Sequence, residues 1–366
     1  MLAPRTDFIG IEDVVHLAAG GETPLLRQHL ATVERFARHK GGGMAGREAF
    51  FAVRAALQQR IAGWLGLTPG DIACVGSASE GIARVIAAYD WRPGDSVVVA
   101  ASEFPSGVFG LARLRALGVD CRIIAPRGWR VETADLLAAC DGSTRLVYAS
   151  HVSYLTGQRL DLAALIAGVH AAGAAILLDV THSLGVAPVP AGDADFVVAS
   201  GYKWLLGTHM GVFGWNRRRQ PDFAPFQVGW RSGHATGDAA IYRLWDDATR
   251  AEAGNPNHLD VYLLEGATAY LAAIGIERIA AYVAGQATRL RAGLVAAGLP
   301  VITPEPSAER AGNVCFAHAD GEAVARRAAA AGVLLWGGDG RVRLSVHCYV
   351  TPDDIDRALA VLPAVV

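Results

Sequence analysis

Asp195-Phe196-Val197-Val198-Ala199-Ser200-Gly201-Tyr202-Lys203-Trp204 runs from an apolar segment into a polar turn that carries a lysine. Upstream, Ala174-Ala175-Ile176-Leu177-Leu178 ends in Asp179, with His182 shortly after it. Both runs are short, apolar and closed by polar or glycine residues, the pattern of strands buried on both faces. A lysine and an aspartate thus stand at the carboxyl ends of two buried strands. Alone, such a lysine is an ordinary solvated loop residue, and position in a fold does not establish function. The reading rests on what surrounds it.

The same rhythm extends outward. Apolar runs at 72–75, 96–101, 121–124, 146–149, 174–178, 196–199 and 211–215 read as buried strands, with helical stretches such as 106–117 and 162–172 between several of them. A helical pattern over 47–67 stops at Gly66 and Thr68-Pro69-Gly70. Strand, helix, strand in succession predicts an α/β chain whose mostly parallel seven-stranded sheet lies between helices. From 221 to 247 that rhythm gives way to Pro, Gly, Trp and Asp, read as a long ordered surface loop. Beyond Leu259 come two helical stretches, then strands near 313–317, 333–336 and 342–346 and helices near 322–331 and 353–361. The division expected is a large domain over 16–250 and a smaller α+β domain over 251–366, with segment 1–15 packing on the latter.

With 366 residues, 52% hydrophobic content and a formal net charge of −2, the chain is long enough for two packed cores. Near-neutral charge, with Arg217, Arg218 and Arg219 as the only tight basic run, argues against nucleic acid or an anionic membrane as partner. Cys74, Cys121, Cys140, Cys315 and Cys348 are odd in number and lack CxxC spacing, so neither a disulfide framework nor a metal site is expected. A reducing cytoplasm fits this usage. The first ten residues hold no long apolar core and no later run reaches membrane length, so neither export nor membrane insertion is expected.

Gly76-Ser77-Ala78-Ser79-Glu80-Gly81 follows a strand and opens an apolar helix, where backbone N–H groups converge on an anion. Ser79 doubles there as the expected N-cap. Phe104, in Glu103-Phe104-Pro105-Ser106, is placed to stack on a cofactor ring. Asp179 suits a protonated pyridine nitrogen, and His182 either the ring or a structural role. Lys203 offers the amine for a Schiff base and then a proton shuttle at the substrate's α-carbon. Ser200 and Tyr202 reach the phosphate. Arg341-Val342-Arg343-Leu344-Ser345-Val346-His347 alternates, putting Arg341, Arg343 and Ser345 on one face, with an arginine to clamp a carboxylate. Together these residues point to pyridoxal 5′-phosphate as cofactor and an amino acid as substrate.

In this order, the elements at Ser77 to Gly81, Asp179-x-x-His182, Ser200-x-Tyr202-Lys203, Glu252-Ala253-Gly254-Asn255-Pro256-Asn257 and Arg343-x-Ser345-x-His347-x-Tyr349 resemble the class V aminotransferases of the fold-type I pyridoxal-phosphate enzymes. That family includes cysteine desulfurases, kynureninases and isopenicillin N epimerase. The resemblance implies that Ala78, Ser79 and Tyr202 hold the phosphate, Phe104 stacks on the ring, and Asp179 and His182 contact its nitrogen side. It implies Lys203 as the Schiff-base lysine and Arg343 as the carboxylate clamp. Trp230 and Asn255 look like positions that reach the phosphate from a neighbouring subunit, which implies a homodimer with active sites at its interface.

Residues 331–340 contain no cysteine, and Cys348 lies beyond Arg343, which disfavours a desulfurase. Tyr154-Leu155-Thr156-Gly157-Gln158, Tyr202-Lys203 and Gly229-Trp230 look closer to kynureninase. An aminotransferase acting through the Lys203 Schiff base and a quinonoid intermediate ranks first; a kynureninase-like hydrolase or β-lyase and an epimerase follow. A nucleotide-binding dehydrogenase, from Gly41-Gly42-Gly43-Met44-Ala45-Gly46, and a non-catalytic protein of this fold rank last, since that glycine motif follows a helix.

Overall fold

The computed structural model describes residues 2–238 and 241–366; positions 239 and 240, inside the predicted 221–247 loop, and Met1 lie outside the described residues. The chain opens with a short strand, β1 (Val15–His16), followed by the helices Gln28–Gly41 and Gly43–Leu65. Seven strands then build the central sheet: β2 (Ile72–Val75), β3 (Ser96–Ala100), β4 (Asp120–Ile124), β5 (Thr144–Ser150), β6 (Ala175–Asp179), β7 (Phe196–Ser200) and β8 (Gly211–Trp215). Their order across the sheet is β2-β8-β7-β6-β5-β3-β4. All neighbours run parallel except β8, which is antiparallel to both β2 and β7.

Most of these strands are buried along their whole length, because helices cover both faces, and that is why their sequences read as unbroken apolar runs. The edge strand β4 is partly exposed and correspondingly mixed in composition. Parallel order brings the carboxyl ends of β3, β5, β6 and β7 to one rim of the sheet, where open α/β folds bind ligands.

The expected loop over 221–247 contains a hairpin instead. Here β9 (Gly233–Ala235) pairs antiparallel with β10 (Tyr242–Leu244). Three-residue strands on an exposed ribbon need no apolar run, so hydrophobic patterning does not register them.

Helices His258–Ile274 and Ile276–Ala296 lead into a second, three-stranded antiparallel sheet. It consists of β11 (Asn313–Ala317), β13 (Trp336–Gly338) and, in the centre, β14 (Arg341–Ser345). A further short strand, β12 (Val333–Leu334), pairs in parallel with β1, and Ala18 bridges to Ser345. The amino-terminal segment is therefore stitched along β14, with Arg5 paired to Asp354 at 3.0 Å.

Candidate active site

β6 and β7 are adjacent and parallel, with Asp179 in register with Val198, so the turns leaving them bring His182 and Lys203 together. Lys203 Nζ lies 3.4 Å from His182 Nε2, 5.4 Å from the centroid of the Phe104 ring and 5.5 Å from that of Tyr202. The amine is buried and, among the described residues, forms no ion pair. Burial and the nearby Arg343 guanidinium hold its pKa down at about 8, against the opposing pull of Asp179.

Asp179 is fixed by two donors: the Thr181 N–H to Oδ1 at 2.8 Å and the Tyr148 hydroxyl to Oδ2 at 3.2 Å. Burial and the neighbouring carboxylates raise the Tyr148 phenol well above its ordinary range, which keeps it a donor. Phe104 is 39% exposed on the turn between β3 and helix Pro105–Ala112, and it meets the Tyr154 ring edge-on at 5.3 Å. Behind it, buried Glu103 accepts the Ser150 N–H at 2.7 Å and the Ser150 hydroxyl, tying the Phe104 turn to the end of β5. Burial pushes the Glu103 carboxyl up to about 7.

On the phosphate side, the N-cap of helix Ala78–Ala88 is Ser77, not the expected Ser79: the Ser77 oxygen accepts the Glu80 N–H at 3.1 Å. The helix starts at Ala78, two residues earlier than a Ser79 cap would allow. The Ser79 hydroxyl is exposed and lies 2.7 Å from that of Ser106. Gly211 of β8 lies so close beneath this loop that a Cβ there would sit 2.3 Å from the Ser77 carbonyl carbon. A Gly211→Ala substitution is expected to displace the loop at an overpacking cost of about 1–3 kcal/mol, weakening cofactor retention roughly tenfold to a hundredfold by equilibrium dialysis. Nearby, the Ser200 N–H donates to Thr181 Oγ1 at 3.1 Å, and the Tyr202 ring stacks on His209 at 4.3 Å.

Arg343, in the centre of the small sheet, donates from Nη1 to the Tyr154 carbonyl at 3.0 Å and packs on Trp336 with 5.0 Å to the ring centroid. Its buried Nε has no partner. Gly20, in the segment stitched along β14, leaves room there, since a Cβ would lie 3.0 Å from that nitrogen. Arg341 shares the Tyr154 carbonyl but is fully buried and neutralised by Asp339 at 3.0 Å. Of the two candidate arginines, Arg343 alone lacks a carboxylate partner among the described residues.

Trp230, 66% exposed, and Asn255 stand together at Arg47, 6.0 Å from the Trp230 centroid and 3.4 Å from the Asn255 oxygen. Asn255 also lines a cavity of about 280 Å³ with Gly76, Glu80 and His209. The Gly41 to Gly46 motif falls where one helix gives way to the next, without the preceding strand a dinucleotide site requires.

The profile of the class-V aminotransferase family matches residues 25–358. The chain belongs to that family. Among curated relatives, a probable cysteine desulfurase of Methanothermobacter thermautotrophicus is 31% identical over 288 residues, covering 75% of this chain and 71% of the relative. A kynureninase of Bacillus anthracis is 26% identical over 342 residues, covering 88% and 80%. The fold matches that of an apo cysteine desulfurase from Thermococcus onnurineus NA1, with TM-score 0.89, 20% identity and 99% and 97% of the two chains covered.

This class-V enzyme is pyridoxal-phosphate dependent, and the residues present fit the cofactor. The donor set is right: an unpaired buried amine at Lys203, a rigidly held carboxylate at Asp179, and a helix N-terminus approached at glycine-only distance by Gly211. The expectation against a desulfurase is overturned by the relatives, since a probable cysteine desulfurase stands among the curated matches and a cysteine desulfurase shares the fold across nearly the whole chain.

Sequence reading missed Tyr148, Thr181, Trp204 and Asn313, all of which touch Asp179 or His182. Trp204 adjoins Lys203 and Thr181 lies between Asp179 and His182, so both are local in the chain. Tyr148 and Asn313 come from other strands, β5 and β11.

Proposed function

We propose that this enzyme is a pyridoxal-phosphate-dependent lyase that breaks the bond between sulfur and the β-carbon of L-cysteine. The observation that carries the reading is Lys203, a buried amine without a carboxylate partner in the same site as an arginine whose Nε is unpartnered. Sulfur as the leaving atom is supported by the desulfurase relative at 31% identity.

When bound, pyridoxal phosphate supplies an aldehyde that joins to amines and a ring that withdraws electrons from the α-carbon. Arg343 would orient the substrate carboxylate. Asp179, held by Tyr148 and Thr181, would keep a proton on the ring nitrogen. Lys203, its pKa brought near neutrality, would take the α-proton and hand it to the sulfur that leaves the β-carbon as sulfide, while the three-carbon remainder departs as 2-aminoacrylate, which water converts to pyruvate and ammonia. Phe104 and Tyr154 would exclude water from the outer face.

Transamination begins with the same proton transfer at Lys203 and differs in requiring a keto-acid acceptor. Incubation with L-cysteine without any keto acid is expected to release sulfide. Turnover only with a keto acid, and with the sulfur retained, would instead assign an aminotransferase. A homodimer belongs to the same proposal: Trp230 and Asn255, grouped at Arg47, are available to complete a partner's site. Sedimentation of the protein at a single subunit's mass would reject that part.

A further inference from the structure

We propose that Trp204 and Asn313 are positioning residues that lock His182 as an Nε2–H donor, which biases the Lys203 amine towards the free base that captures the cofactor. The inference rests on Lys203 being the cofactor's amine.

The indole Nε1–H of Trp204 lies 3.2 Å from His182 Nδ1. An indole nitrogen can only donate, so Nδ1 must accept and cannot carry a proton. Asn313 agrees from the other side. Its oxygen accepts the Ser345 hydroxyl at 2.8 Å, which leaves its amide nitrogen to donate to the same Nδ1 at 2.9 Å. With two donors on Nδ1, the proton of the neutral ring sits on Nε2, and Nε2 is the atom 3.4 Å from Lys203 Nζ. A donor there is satisfied by a neutral amine and repelled by an ammonium.

The imidazole itself stays neutral. It is buried, and Lys203, Arg343 and Arg341 all oppose a positive charge on it, so its pKa lies well below the usual histidine range. The charged groups that act on Lys203 are Arg343, which lowers its pKa, and Asp179 and Glu22, which raise it. Trp204 cannot swing away. It is fully buried, packs so closely on Gly312 that a Cβ there would lie 2.6 Å from its ring, and its carbonyl oxygen lies 3.1 Å from His347 Nε2. His347 is held in one tautomer in turn, because its Nδ1 accepts the Cys348 N–H at 2.7 Å.

Two measurements test this on the whole 366-residue chain stripped of cofactor. In protein carrying ¹⁵N-histidine, with the His182 signal identified by its loss in His182→Gln, long-range correlation spectra are expected to show Nδ1 unprotonated and Nε2 protonated. A protonated Nδ1 overturns the proposal, and this result needs no variant of Trp204.

The second is the rate of covalent capture of pyridoxal phosphate against pH, followed by absorbance. Trp204→Phe keeps an aromatic ring but loses the donor, and is expected to raise the midpoint by about one unit, slowing capture roughly tenfold at neutral pH. In a His182→Gln background, whose amide donates whatever Trp204 does, the same substitution is expected to leave the midpoint in place. Equal shifts in both backgrounds, or none in either, reject the tautomer role. Lys203→Ala is the control for the underlying assignment: covalent capture by that variant would displace Lys203 itself, independently of the state of His182.

Discussion

Lys203→Ala protein, supplied with pyridoxal phosphate, is expected to lack the absorbance band of lysine-bound cofactor and to lose turnover by about 10² to 10⁴-fold, the contribution typical of a positioned acid–base group. The chain makes this test unusually clean. It contains only two lysines, Lys40 and Lys203. Lys40 is exposed in the last turn of helix Gln28–Gly41, whereas Lys203 is buried beside His182 and Phe104. Borohydride reduction of the wild-type protein followed by peptide mapping is therefore expected to find the cofactor on the peptide containing Lys203. Label on Lys40 instead, or unchanged turnover in Lys203→Ala, would remove the amine from the mechanism.

The second large effect concerns substrate binding. Arg343→Ala is expected to raise the apparent dissociation constant for L-cysteine by about a hundredfold, near 3 kcal/mol, for loss of a charge-assisted contact to the carboxylate. The structure sharpens the expectation. Arg343 is held by the Tyr154 carbonyl and Trp336, yet its Nε is unsatisfied and no carboxylate of the chain pairs with it among the described residues. Burial lowers its pKa to about 10, which still leaves it charged at neutral pH. Arg343→Lys keeps a charge but not the planar fork, and is expected to recover only part of the loss. Cysteamine, which is cysteine without its carboxylate, separates binding from damage to the fold. Its affinity is expected to be the same in wild type and Arg343→Ala, and an equal loss for both ligands would mean that Arg343 acts through the structure and not on the carboxylate.

Much of this site could be read in one dimension because it is built at the ends of strands buried on both faces. Such strands leave unbroken apolar runs, and the polar residues that follow them are conspicuous: Asp179 closes β6 and Lys203 follows β7. Ser77 and not Ser79 capping its helix is a shift of the kind expected at helix ends, where hydrogen-bonding geometry sets the boundary. The β9–β10 hairpin left no signal, since neither of its strands is apolar or long. The expectation against sulfur chemistry failed for a different reason. It weighed one short stretch against a desulfurase match that covers 75% of the chain.

The sheet and the cofactor class were legible in local pattern, and the same pattern singled out Lys203, Asp179 and Arg343 as candidates: an apolar run, the turn that ends it, an alternating strand. The state in which those residues are held was decided only by the tertiary structure. Asp179 takes its donor from Tyr148 on the adjacent strand, and His182 takes its tautomer from Trp204 and from Asn313 in the other sheet. Arg341 and Arg343, equivalent in the alternation, are told apart by Asp339 and by the glycine segment that passes over one of them. Protonation and pairing depend on what lies within a few ångströms in space, and neighbours brought together by folding leave no trace in the order of the chain.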